Sequence, residues 1–338
     1  EMSLMGRVLL KPPGSTTGDE AAGAMTFLAE HSPEGKRGLI TSFAQIASFL
    51  ALLTGTLVAF AMSPWLTESA INGGGPASWA WRVPFLIAIP MGLIGWYIRR
   101  AIADTPNFAK LKESGGLSRN PLKEAFATPE HRRAMLLALF IPLMNGSGYY
   151  VLFSYMPTFL KGDKIGFTTG TALLVTASSL VAISIAIPFM GALSDRLGRK
   201  KVIGTSVALA VVWALFVFPI LDTGSPIAFA LVLFVTLIIF GIAYGPAGAL
   251  LPELFQARYR YTGAGLGYNL AGILGGALPP LAAAAMVAAG NTLGVGILLS
   301  LLSAMSMLCV VAMTESSKNE IHADAEISED RVLATEVP

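Results

Sequence analysis

The sequence predicts an all-α polytopic membrane protein with eight clear spans and a partial one before them. Three observations carry this. Of 338 residues, 54% are hydrophobic and 13% charged, about half the charged share of a soluble domain. Eight stretches, 39–62, 83–98, 134–159, 170–193, 202–220, 226–251, 263–288 and 293–313, hold no Asp, Glu, Lys, Arg or His. Each is near the roughly 20 residues a helix needs to cross a bilayer. Lys and Arg are unevenly shared between alternate loops. With loop 194–201 in the cytoplasm, eighteen lie there and three (Arg82, Lys161 and Lys164) lie opposite, a positive-inside bias. The C-terminus is then cytoplasmic and the bilayer is the main partner.

Composition also excludes classes. Cys309 is the one cysteine and His31, His131 and His322 lie outside the spans, so neither a disulfide framework nor a metal or cofactor site is expected. A membrane enzyme would need clustered acids, histidines or cysteines within its spans, and catalytic residues are accordingly not expected. The bases are spread over loops beside spans, which gives nucleic-acid binding no support. A monomer is expected.

In chain order, residues 1–98 hold two clear spans, preceded by a helix-like stretch from Ser15 to Glu30 that follows Lys11-Pro12-Pro13-Gly14. The prolines break or kink a helix at that point. The chain begins with Glu1 and reads as a fragment or processed product. Residues 99–133 form a central cytoplasmic loop, 134–314 carry six spans, and 315–338 are acidic, polar and aperiodic, the pattern of a disordered tail. Pro84, Pro142, Pro188, Pro246 and Pro279 mark expected kinks.

At the loop between the second and third of these six spans, 170–193 and 202–220, the order Gly191, Asp195, Arg196, Gly198, Arg199 is informative. Glycines let helix ends approach and the chain reverse. Asp195 is placed to cap the following helix or to pair with an arginine. Glu30 and Arg37 stand seven residues apart before one helix, and Glu253 and Arg260 repeat that spacing in the second half, as parallel transporter repeats would. These acids and arginines are expected to meet on the inner face as a gate that latches the outward-open state.

These motifs are similar to those of a known family. The run Gly191 to Lys201 resembles the G-x-L-x-D-R-x-G-R-[RK] loop of the major facilitator superfamily. Thr26 to Gly38, Trp79 to Phe85, Glu253-Leu254-Phe255 and Arg260 to Tyr268 resemble its metabolite:proton symporter family, whose members carry proline and betaine, α-ketoglutarate, citrate or shikimate. The resemblance implies a major facilitator fold lacking its first three helices, proton-coupled symport of a small organic solute, and a bacterial inner (plasma) membrane. It also implies that 14–30 is a remnant of a fourth helix, in which Asp19 replaces a glycine. A truncated, non-transporting remnant is the alternative.

Glu20, with its neighbour Asp19, is the acid within a helix-like stretch and is the expected proton-coupling group, since lipid raises a carboxyl pKa. In 134–159, the run Asn145-Gly146-Ser147-Gly148-Tyr149-Tyr150 is expected to break the helix at mid-depth. Asn145, Tyr149 and Tyr150 are placed to bind a polar solute, with Tyr268 and Asn269 near the inner end of the same cavity. Gln45 and Tyr244 are weaker candidates, better explained by packing.

Overall fold

Backbone groups in lipid must be satisfied within their own segment, which favours helices. The computed structural model describes residues 20–63, 82–101, 121–162, 165–223, 225–257 and 259–317, and every regular element among them is helical. These are α1 (Glu20–Glu30), α2 (Arg37–Met62), α3 (Val83–Ala101), α4 (Pro129–Phe140), α5 (Leu143–Gly148), a π-helical turn (Tyr149–Ser154) and α6 (Met156–Leu160). There follow α7 (Thr169–Leu197), α8 (Arg199–Leu221), α9 (Pro226–Glu253), α10 (Arg260–Gly276), α11 (Leu278–Ala288) and α12 (Thr292–Ala312), with a single helical turn at Pro121–Glu124.

Among the described residues, seven helical segments are long and apolar enough to cross a membrane, counting α4–α6 and α10–α11 as one each. The expected stretch 83–98 is helical as the 19-residue α3 but is not among the seven. Large apolar side chains such as Phe189, Phe234, Leu281 and Leu308 lie exposed on the outside of the bundle, as a surface meeting lipid requires. Inside, Phe49 is fully buried and meets the rings of Tyr149, Phe153 and Tyr244 edge-on at 5.2, 5.7 and 4.8 Å. Such aromatic contacts add about 0.5–1.5 kcal/mol beyond the area they bury.

Helix α2 packs on α7 and α9, α8 packs on α12, and α1 fits against α2, α9 and α10. The α2–α7 contact is close because a Cβ on Gly38 would lie 2.5 Å from the Gly191 carbonyl oxygen, and one on Gly191 would meet the Gly38 oxygen at 2.5 Å. The turn from α7 into α8 is made at Gly198, with φ +96°, a value L side chains rarely adopt. Serines join helices elsewhere: Ser206 Oγ donates to the Ile239 carbonyl and Ser300 Oγ to that of Val211, at 2.5 and 2.6 Å.

The helix break expected at Asn145 to Tyr150 is displaced. Asn145–Gly148 are themselves helical, and the irregularities flank them: Ile141–Pro142 on one side and the π turn from Tyr149 on the other. Proline explains the first, because its ring and missing N–H interrupt the ladder. Ser306 of α12 repairs it: its hydroxyl donates to the Phe140 carbonyl at 2.7 Å and accepts from the Met144 amide at 3.1 Å. The expected span 263–288 is likewise divided, at Ala277, just before Pro279. Pro188 and Pro246 sit inside continuous helices.

Candidate functional site

Two features stand out. The first is a cavity of about 550 Å³ between α2, α5, α9 and α10, within the roughly 300–1,000 Å³ of small-molecule sites. Asn145, Tyr149, Tyr150, Tyr268, Asn269 and Gln45 all line it, as does Tyr244. Among the described residues, none that lines it is charged. The broken span supplies much of this wall, since the π turn begins at Tyr149 and re-aims the residues after it; π segments often mark functional sites.

The tyrosines are held differently. Tyr244 Oη donates to the Asn145 carbonyl at 2.5 Å and Tyr149 Oη to the Ser48 carbonyl at 3.3 Å. Tyr244 thus lines the cavity as well as packing against α5. Tyr150 stands nearly perpendicular to Tyr149, with centroids 5.1 Å apart and an 80° interplanar angle. Gln45 Nε2 donates to Met25 Sδ at 3.6 Å and Asn269 Nδ2 to the Gly265 carbonyl at 2.8 Å. Asp19 and the side chain of Glu20 lie outside the described residues; Glu20 opens α1.

The second feature is an ion-pair cluster at the end of the bundle bearing loop 194–201. Arg199, buried, contacts Asp195 at 2.9 Å and Glu253 at 3.2 Å. Asp195 also accepts from the amides of Gly38 and Leu39 at 2.7 and 2.9 Å. Of its two expected uses, pairing with an arginine is the one seen, and its carboxylate also binds the start of α2, across the α2–α7 contact, where the expectation had it capping α8. Arg260 pairs with Glu30 at 3.0 Å, so the repeated Glu/Arg loops pair across the halves. Of the residues expected to meet here, Arg196 is exposed, and Arg37 is buried.

The start of α8 is capped by Glu315, whose carboxylate accepts from the amides of Arg199 and Lys200 at 2.7 and 3.1 Å. Ser316 Oγ donates to Glu253 at 2.8 Å, and Lys200 Nζ donates to the carbonyls of Val311 and Met313 at 2.8 and 2.6 Å. The tail expected to be disordered from 315 is held against α8 at its first residues, because the free N–H groups of a helix start attract a carboxylate. Burial pushes the Glu315 carboxyl up, but the N–H groups of Ser317, Arg199 and Lys200 outweigh it and hold the carboxyl below its ordinary value. Sequence reasoning missed Glu315, Ser316 and Ser306; the signal for Glu315 was an acid two residues beyond the last apolar stretch.

Comparison with known proteins places these features. The family model described as "Sugar (and other) transporter" matches residues 109–326, and that of the Major Facilitator Superfamily matches 17–184. The chain is 31% identical to the ectoine/proline transporter ProP of Corynebacterium glutamicum, over 96% of this chain and 66% of that protein. It is 30% identical to the inner membrane metabolite transport protein YhjE of Escherichia coli, over 90% and 68%. The chain thus spans about two thirds of the length of the curated relatives it matches. Among solved structures, the proton:xylose symporter XylE bound to 6-bromo-6-deoxy-D-glucose superposes with a TM-score of 0.65 at 18% identity, covering 90% of this chain and 69% of that one. The chain is a multi-pass membrane protein of the sugar (and other) transporter family, within the major facilitator superfamily.

Proposed function

We propose that the protein is a proton-coupled secondary transporter of a small organic solute, an organic acid or a proline- or betaine-like compound, in the bacterial inner membrane with its C-terminus in the cytoplasm. The observation that carries this reading is the uncharged polar and aromatic cavity, walled by an interrupted span and lying between helices joined at one end by ion pairs. No covalent chemistry is asked of it. The solute binds in the cavity while the inner cluster holds the cytoplasmic side shut; breaking that cluster lets the halves rock and the cavity open inward. ProP of Corynebacterium glutamicum, an ectoine/proline transporter, supports the solute class.

Proton coupling is assigned to Glu20, with Asp19 beside it. Helix α1 packs against α2, α9 and α10, so a protonation change at its start bears on the same interface that the gate residues hold. The test is Glu20→Gln in proteoliposomes. Solute exchange down its own gradient should persist while accumulation driven by a proton gradient is lost. Undiminished proton-driven accumulation in the variant would overturn the assignment.

A further inference from the structure

A second cavity, of about 470 Å³, lies beside the ion-pair cluster at the start of α8. Among the described residues, five bases line it against two acids, Asp195 and Glu315. Much of this charge is already engaged. Arg199 meets Asp195 and Glu253, and Lys200 Nζ donates to carbonyls at the end of α12. Arg196 and Lys201 are exposed, and neither makes an ion pair among the described residues. One side of the cavity forms a cradle for an oxyanion. The amides of Arg199 and Lys200 donate to the Glu315 carboxylate, and the Ser317 amide adds a third bond at 3.1 Å. The approach is open because residue 198 is glycine: a Cβ there would lie 2.5 Å from Glu315 Oε2. The anion in this cradle thus belongs to the chain's own tail, and it brings a single charge to a site with an excess of bases. Leu197, which lines the same cavity, is 52% exposed, so apolar surface adjoins the basic one.

We propose that this basic cavity binds a phosphate oxyanion, free or as a lipid headgroup, which displaces the Glu315 carboxylate from the start of α8 and lifts the first residues of the tail. Phosphate takes over the amides of Arg199 and Lys200, as anions do at helix starts. Its further oxygens and charge are received by Arg196 and Lys201. A phospholipid supplies the same group, with its chains along the apolar surface beside the cavity. Ser316 leaves with the tail, so Glu253 loses the hydroxyl that donates to it. Occupancy therefore loosens the ion-pair cluster from a place outside the solute cavity. The inference goes beyond the transport reading, since it concerns neither the solute nor the proton.

The experiment follows the tail in the intact chain, with no solute and no proton gradient, so its outcome is independent of transport. Cys309→Ser removes the native thiol, and Ser316→Cys places a reporter at a side chain that is buried while the tail is docked. Labelling by N-ethylmaleimide in nanodiscs then measures how often the tail lifts. One arm adds sodium phosphate to phosphatidylcholine nanodiscs, against sodium chloride at equal ionic strength. The other replaces about 30% of the phosphatidylcholine with phosphatidylglycerol. Labelling should rise about fivefold or more in at least one arm, and that arm identifies the source as free anion or headgroup. Arg196→Gln/Lys201→Gln should cancel the rise. Glu315→Gln should label at the raised rate with neither probe. Glu34→Gln makes the same charge change at an exposed residue that does not line the cavity, and should respond as the parent does. Rates within about twofold of the control in both arms, a rise that survives Arg196→Gln/Lys201→Gln, or a Glu34→Gln protein that matches Glu315→Gln would each overturn the proposal. The comparison of probes needs none of these charge variants, so it stands even if one of them fails to fold.

Discussion

Replacing Asp195 with Asn should open the inner face. The carboxylate receives the amides of Gly38 and Leu39 and one nitrogen of Arg199, all within 2.9 Å. An asparagine keeps one acceptor oxygen and turns an N–H towards a donor, so it forfeits a charge-assisted bond and the ion pair. Hydrogen bonds to charged groups are worth about 1.5–3 kcal/mol each. In the open state water solvates the same groups, and this returns part of the difference. A net bias of about 1.5–3 kcal/mol against the closed state remains, or roughly 10- to 150-fold in the closed-to-open ratio. The assay replaces Cys309 with Ser, places a cysteine at Ala247 in the cavity wall, and measures labelling by an impermeant maleimide from the side of loop 194–201. The Asp195→Asn protein should label at least tenfold faster. A labelling rate within twofold of the parent's, with an unchanged melting temperature, would refute the latch.

Other outcomes follow from the same geometry. Arg199→Leu takes a buried cation away from Glu253 and Asp195 together and should cost about 3–5 kcal/mol, part of it recovered in Arg199→Leu/Glu253→Leu; thermal unfolding in detergent reads both. Gly38→Ala puts a Cβ 2.5 Å from the Gly191 oxygen, prising α2 from α7 at a cost of about 1–3 kcal/mol, seen as a lower melting temperature. Glu315→Gln weakens the α8 cap and should cost about 1 kcal/mol at neutral pH. Because the folded state holds the Glu315 carboxyl below its ordinary value, its contribution is present above the ordinary carboxylate range and is lost as pH falls through the folded value. The melting-temperature difference between parent and Glu315→Gln should therefore vanish in acid, and a difference constant with pH would contradict the cap.

What the sequence made legible was what local pattern determines. Uncharged stretches near spanning length gave the helices, and the ordered glycines, acid and arginines of 191–201 marked an interface because each residue type has a distinct steric or electrostatic use there. The clustering of Asn145, Tyr149, Tyr150, Tyr268, Asn269 and Gln45 around one cavity followed from polar groups standing in otherwise apolar helices. That the acids and arginines of distant loops meet was legible; which acid pairs with which arginine was not. The Glu/Arg spacing repeats within each half, yet Arg260 reaches back to Glu30 and Arg199 across to Glu253, a pairing set by how helices meet. Ser306 looks like any small residue in an apolar helix until Pro142 frees the backbone groups it bridges. Glu315 reads as tail because nothing local shows that the start of α8 lies beside it.

The central claim is coupled transport through the cavity. The most direct measurement is uptake of labelled betaine and proline by proteoliposomes containing the protein, with an imposed proton gradient, before and after a protonophore collapses it. The account predicts accumulation above the external concentration that disappears with the gradient and is abolished by Tyr149→Leu/Tyr268→Leu. Equilibration without accumulation, or accumulation that survives collapse of the gradient, would contradict it.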